Sequence, residues 1–324
     1  MSHPTDAHYM RLALALAERG RGGTSPNPMV GAVVVDSDGV VVGRGAHAFA
    51  GGPHAEVHAL HDAGSRAVGA TLYCTLEPCS HTGRTPPCAP RVVEAGIARV
   101  VTAAGDPNPL VSGRGLAYLR AHGIEVTENV LRETAERQNR AFLSVMRRGR
   151  PYVTLKIAIS LDGRIAERPG TRTALTGAAA NRLIHRQRAE IDAIAVGSGT
   201  MMADDPLLTP RGAYRRRPLV RVIFDAQLRT PPTARVLSTL DAGPVIIMST
   251  AASAETASER VRALTDAGAS LELLQQDANS SVPMQAATRC LAERGVTSLL
   301  IEGGAALHGA AWHAGIVDCV QMYV

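Results

Sequence analysis

Residues 53–60, PHAEVHAL, put His54, Glu56 and His58 within five positions, and residues 75–88, TLEPCSHTGRTPPC, put Cys79 and Cys88 on either side of a Pro- and Gly-rich loop. Alone, His54 reads as an ordinary surface or core histidine. Together with Cys79 and Cys88 it completes a set of one imidazole and two thiolates, the donors of a catalytic zinc that keeps its fourth position for water. Pro53 stands at the start of a helix carrying His54, and APRVVEAG (89–96) begins a helix just after Cys88. Helix amino termini favour thiolates and other negative charge, so both ligand groups are expected to face one crevice.

Zinc lowers the pKa of its bound water to about 7, and a nearby carboxylate then shuttles protons from the water to a leaving group. Glu56 is that carboxylate. His-x-Glu followed by Pro-Cys is the arrangement of zinc deaminases, which attack an amino-bearing carbon of a pyrimidine or purine ring. A metalloprotease helix would need Glu directly after its first His, and Ala55 stands there. A purely structural zinc would need a fourth protein ligand, for which His81 is available, and it would leave Glu56 without a purpose. His58 and His61 read as helix-face residues, and Cys74, Cys290 and Cys319 as core.

The chain has 324 residues, beyond the roughly 100 to 200 of a usual single domain, so two domains are expected. Its 34 Lys and Arg against 29 Asp and Glu give a net charge of +5. The densest basic cluster is Arg215, Arg216 and Arg217, with Arg211 just before it. Aromatic residues make up 3%, too few to interleave with basic residues as a base-stacking surface requires. A phosphorylated metabolite therefore suits this charge better than nucleic acid. An odd number of cysteines, five, argues against a disulfide framework. No segment approaches the roughly 20 apolar residues of a membrane span, and MSHPTDAHYM lacks the order of a secretion signal, so a cytoplasmic protein without membrane contact is expected.

Along the first half, Thr5 or Asp6 caps a helix through Met10, Leu14 and Ala17 that ends at Gly20. VGAVVVDSDGVVVGRG (30–45) has the form of a β-hairpin around Asp38-Gly39. Helical HAEVHALHDAG, APRVVEAG and GLAYLRAHG then alternate with extended ATLYCTLEP, ARVVTAA and IEVTENV, which means an α/β layer architecture. After MRRGRP, near residue 150, a second α/β unit starts with YVTLKIAIS as a strand and a helix over 178–190. The strands IDAIAVGSG, LVRVIFD, PVIIMST, SLELL and TSLLIEGG follow.

With PNPMVGAVVV, HAEVHAL, TLEPCSHTGRTPPC and DPNPLVSGRG in the first half, and LKIAISLDGRIA, VGSGTMMADDPLLTPR and IEGGAALHGA in the second, the chain resembles the bifunctional riboflavin-biosynthesis deaminase/reductase over nearly its whole length. The resemblance implies a cytidine-deaminase-like domain over 1–148 and a dihydrofolate-reductase-like domain over 149–324. It implies zinc-dependent deamination of 2,5-diamino-6-(5-phosphoribosylamino)pyrimidin-4-one, then NADPH-dependent reduction of the ribosyl group to ribityl, in a homo-oligomer. By resemblance His54, Cys79 and Cys88 hold one zinc per chain and Glu56 moves protons. Asn27, His47, Arg84 and Thr85 meet the first substrate, and Lys156, Arg188, Leu208, Arg211 and Glu302 the second. Ile159, Thr200, Asp204 (which also faces the substrate) and the run Gly303, Gly304, Ala305, Ala306, Leu307, His308 and Gly309 lie by NADPH. Glycines between a strand and a helix let backbone amides approach a phosphate, although a plain tight turn has the same form. Arg188 also reads as a solvated helix residue, and Asp204 with Asp205 as a turn before Pro206.

Three features depart from the family pattern. Arg172 to Thr176 replace a Ser-x-Trp-Ile-Thr segment, so that Ala174 stands in the place of a large flat Trp. Ala226 replaces a Ser found in some members. Members also continue past the strand equivalent to VQMYV, whereas this chain stops at Val324, which leaves an apolar edge to a missing segment or another subunit. The alternative these features raise is a deaminase whose second domain is non-catalytic or incomplete.

Overall fold

The computed structural model describes residues 4–80, 86–108, 111–168, 173–276 and 281–324, and the chain divides into two compact units, Met1–Arg148 and Gly149–Val324.

In the first unit, α1 (Pro4–Ala17) precedes the hairpin strands β1 (Gly31–Val35) and β2 (Val41–Ala46). Then follow α2 (Ala55–Ala63), β3 (Thr71–Leu76), α3 (Cys88–Glu94), β4 (Arg99–Ala104), α4 (Arg114–Ala121), β5 (Glu125–Thr127), α5 (Arg132–Gln138) and α6 (Arg140–Arg148). The sheet order is β2-β1-β3-β4-β5, antiparallel through β2-β1-β3 and parallel from β3 to β5. Every residue of β1 is buried, as a run of Gly, Ala and Val sandwiched between helices requires. Small residues set the layer spacing: a methyl on Gly31 would lie 2.0 Å from the Ala13 carbonyl of α1, and one on Gly45 2.0 Å from the Ala55 carbonyl of α2.

Two local expectations need correction. The first helix begins at Pro4, and Asp6 does not cap it. Its buried carboxylate instead accepts hydrogen bonds from Arg99 (2.9 and 3.0 Å) and Tyr73 (2.9 Å), joining α1 to β3 and β4. The extended run IEVTENV forms a strand only over Glu125–Thr127, because Asn129 and Leu131 adopt left-handed backbone and turn the chain into α5.

The second unit is built of β6 (Tyr152–Ala158), α7 (Ala178–Glu190), β7 (Ala193–Gly197), α8 (Ser198–Asp204), β8 (Val220–Phe224), β9 (Val245–Thr250), α9 (Ala251–Thr256), α10 (Ser258–Asp266), β10 (Ser270–Leu274), α11 (Met284–Glu293), β11 (Ser298–Ile301), α12 (Ala305–His313) and β12 (Cys319–Tyr323). The strands form a seven-stranded sheet in the order β10-β9-β8-β7-β11-β6-β12, with every described pairing parallel. One apolar cluster fills each face, around Val153, Leu299 and Met248 on one side and around Ile194, Ile223 and Ile247 on the other. A parallel sheet covered on both faces leaves its crevice at the carboxyl ends of the strands, where α/β folds bind ligands.

The basic cluster finds partners inside this unit. Arg215 donates to the carbonyls of Arg188, Ala189 and Ile191 and closes the carboxyl end of α7, and Arg217 pairs with Asp192. Of the four, Arg211 lines the pocket at the carboxyl ends of the strands.

Gly31→Ala should lower the stability of the first unit by about 2 kcal/mol or more, since the methyl meets backbone that cannot rotate away. Urea unfolding of the full chain measures it, and an unchanged midpoint would show that α1 is not packed this closely.

Candidate functional site

The end of β3 and the starts of α2 and α3 converge on one point. His54 is the residue before the first turn of α2, with extended backbone. Cys88 opens α3, and Cys79 follows β3 by three residues. His54 Nδ1 lies 3.2 Å from Cys88 Sγ and 3.6 Å from Cys79 Sγ, and all three donor atoms fall within 4.8 Å of one another. Tetrahedral bonds of about 2.0 Å to nitrogen and 2.3 Å to sulfur put N and S about 3.5 Å apart, so the spacing suits a zinc ion. It is the one such cluster among the described residues.

The electrostatics around these donors agree with a cation site. The Cys79 thiol is pushed down to about 4, first by its hydrogen bond with Cys88, and Cys88 is pushed up in turn because the two sulfurs share a proton. The Cys88 amide also donates to Cys79 Sγ at 3.3 Å. His54 is raised by its hydrogen bond to Cys79 against the cost of burial. Glu56, in the first turn of α2, is 3% exposed, and burial holds its carboxyl above the usual range despite the nearby His54.

His54, Glu56 and Cys79 line a pocket of about 320 Å³ together with Asn27, His47, Glu77, Asp106, Asn108 and Phe142. His47 Nδ1 lies 3.0 Å from the Pro53 carbonyl and its Nε2 lies 3.2 Å from Asn27 Nδ2. The pattern is satisfied when Nδ1–H donates to Pro53 and the Asn27 amide donates to Nε2, which is the neutral ring. Burial lowers the His47 pKa in the same sense. Arg84, Thr85 and His81 lie outside the described residues.

A second pocket, of about 420 Å³, lies in the other unit. It brings together Lys156, Thr200, Asp204, Leu208, Arg211 and Glu302, and Arg188 as well. Arg188 binds Glu302 through two parallel hydrogen bonds of 2.8 Å, and burial lowers the pKa of Lys156 beside them. Of the glycine-rich run only Gly303 lines the pocket. Its φ of +110° and the 2.6 Å from a built methyl to Thr200 Oγ1 require glycine there. Gly304 precedes α12, in which Leu307 and His308 are buried while Ala305 and Ala306 are exposed. Ile159 and Gly309 do not line the pocket, and the Ile159 amide donates to the Tyr323 carbonyl at 2.9 Å. Ala174 does line it, so the loss of the large side chain falls on the pocket wall, whereas Arg172 lies outside the described residues.

Residues 3–104 match the model of the cytidine and deoxycytidylate deaminase zinc-binding region, and residues 151–324 match that of the RibD C-terminal domain. The chain belongs to the RibD family. It is 46% identical to the riboflavin biosynthesis protein RibD of Bacillus amyloliquefaciens over 98% of this chain and 84% of that one, and 41% identical to RibD of Escherichia coli K12 over 98% and 87%. The solved RibD structure from Acinetobacter baumannii superposes with a TM-score of 0.86 at 39% identity, covering 98% of this chain and 87% of that one. A diaminohydroxyphosphoribosylaminopyrimidine deaminase/5-amino-6-(5-phosphoribosylamino)uracil reductase from Thermotoga maritima gives a TM-score of 0.83 at 36% identity, with 98% and 85% covered. The two folds are accordingly the cytidine-deaminase-like and RibD reductase types that the motifs implied.

The motifs did not point to Glu77, Asn139 and Phe142 in the first unit, nor to Asn181, His185 and Arg235 in the second pocket. Glu77 carried a usable signal, a lone carboxylate ending the apolar run TLYCTL. Asn139 carried none, because its bonds to the backbone of Met29 (2.8 and 2.9 Å) cross 110 residues.

Arg188→Ala leaves the buried Glu302 carboxylate without its cation. It should destabilise the second unit by about 3 kcal/mol, and Glu302→Gln in the same chain should restore part of the loss. Denaturant unfolding reads both, and an unshifted midpoint in the single variant would contradict a buried pair.

Proposed function

We propose that this bifunctional deaminase and reductase of riboflavin biosynthesis divides its two reactions between its two units. Residues 1–148 deaminate 2,5-diamino-6-(5-phosphoribosylamino)pyrimidin-4-one, and residues 149–324 reduce the ribosyl group of the product to ribityl with NADPH. The observation that carries the reading is the cluster of His54, Cys79 and Cys88 beside a pocket that His54, Cys79 and the buried Glu56 line together.

In the first unit His54, Cys79 and Cys88 would hold one zinc per chain, and when bound it supplies water acidified to near neutrality. Glu56 takes up the proton as water adds to the amino-bearing ring carbon, and delivers it to the departing amine. Its raised pKa suits this role, because a carboxyl shifted toward neutrality both accepts a proton from water more readily and keeps it until the amine departs. Asn27, its amide held by His47, would orient the ring, and the resemblance assigns Arg84 and Thr85 to the same substrate.

In the second unit NADPH supplies the hydride. Thr200, Asp204 and the amides from Gly303 into the start of α12 would hold it, with Ile159, Gly304, Ala305, Ala306, Leu307, His308 and Gly309 shaping that side. Lys156, Arg188, Leu208, Arg211 and Glu302 would hold the sugar phosphate and pyrimidine. The Arg188–Glu302 pair fixes both side chains before substrate arrives. The gathering of Lys156, Arg188, Asp204, Arg211 and Glu302 in one pocket favours this reading over a deaminase with an idle second domain, despite Ala174. No helix among the described residues is long and apolar enough to cross a membrane. The reading places the enzyme in the cytoplasm as an assembly of like chains.

Glu56→Gln should keep zinc at the wild-type level while ammonia release falls about 100-fold or more. Near-normal turnover would remove Glu56 from the proton path. His54→Ala should lose both zinc and ammonia release yet still oxidise NADPH when given the deaminated product; loss of both activities would contradict the division between the units.

A further inference from the structure

Glu77 stands between the end of β3 and the metal-ligating Cys79, is 4% exposed, and forms no ion pair among the described residues. Its carboxylate is occupied entirely by backbone. Oε2 accepts from the amides of Gly113 (3.0 Å) and Asp106 (3.4 Å), and Oε1 from those of Gly115 (3.0 Å) and Leu116 (3.4 Å). All four donors belong to the segment that leaves β4 and enters α4. The Glu77 amide in turn donates to the Ala104 carbonyl at the end of β4.

That segment is a wall of the first pocket: Asp106, Asn108 and Val111 line it together with Glu77. Its approach to the metal-ligand strand is close. A methyl on Gly115 would lie 1.9 Å from the Pro78 carbonyl, and Gly113 has φ +75°. A buried carboxylate with no cation is expensive unless amide donors surround it, so Glu77 and the segment specify each other.

We infer that Glu77 is a positioning residue for the deaminase: by holding Asp106 on one side and Gly113, Gly115 and Leu116 on the other it sets the part of the pocket wall formed by Asp106, Asn108 and Val111, and so governs substrate binding without touching the reacting atoms. The inference rests on the deaminase reading of this pocket, and it concerns a residue to which that reading gave no role. The conservative probe is Glu77→Gln, which puts an NH₂ group against two amide donors and strands them.

The expected result for Glu77→Gln is zinc at the wild-type level, a KM for ammonia release raised about tenfold and a kcat changed less, because the metal end is intact while the wall shifts. Combining it with Asn108→Ala should then be no worse than the weaker-binding single variant, because both act through one wall. Amide hydrogen exchange, which needs no activity, should quicken at Gly113, Gly115 and Leu116 and stay unchanged in α2. If Glu77→Gln does not fold, Gly115→Ala displaces the same segment with Glu77 in place and should give the same rise in KM. A KM within twofold of wild type in a folded variant, loss of zinc in step with activity, or unaltered exchange at the three amides would overturn the inference. Ammonia release by the wild-type chain, run in parallel, tests the deaminase reading separately, and the exchange result decides the bracket even if that reading fails.

Discussion

Three donor atoms within 4.8 Å of one another, drawn from separate segments of the chain, are the constraint on which the first unit depends. Neither cysteine reaches His54 unless β3 ends where α2 and α3 begin, and that happens because β3 lies between β1 and β4 with Gly and Ala at the helix contacts. The position also explains the chemistry. Helix starts offer unpaired amides and partial positive charge to thiolates, and burial in the same crevice raises the carboxyl of Glu56. Folding and metal affinity are then one free energy, since each ligand is held by structure that the others help close.

The second unit solves a different problem with less chemistry in its side chains. Its seven parallel strands present one crevice at their carboxyl ends. The Arg188–Glu302 pair, Gly303 against Thr200 and the lowered Lys156 shape the pocket without any donor cluster. Hydride comes from the cofactor, so this pocket needs position and charge more than proton transfer. The basic cluster near residue 215 illustrates how charge count misleads. Arg215 and Arg217 close the end of α7 and pair with Asp192, leaving Arg211 to face the pocket.

Much of this was legible before any coordinates. The Val-rich runs on either side of Asp38-Gly39, the His-x-Glu stretch and the paired cysteines are local signals, and each maps onto the element expected of it. The parts that escaped are non-local or masked by ordinary chemistry. Asn139 clamps Met29 across 110 residues, and Phe142 reaches the pocket from α6, a helix that carries no motif. Asp6 reads in the sequence as a helix cap, yet it lies inside the first turn of α1 and its partners Tyr73 and Arg99 are 67 and 93 residues away. Spacing reveals a residue whose partners are near in sequence and is silent about one whose partners arrive through the sheet.

The central claim is that one chain carries two consecutive reactions, and the most direct measurement supplies purified protein with the diaminopyrimidine substrate and NADPH, recording ammonia and NADPH absorbance together. The account predicts that ammonia appears first and that one NADPH is then consumed for each ammonia released. Ammonia without NADPH loss would contradict the second site, and NADPH loss without ammonia would contradict the first.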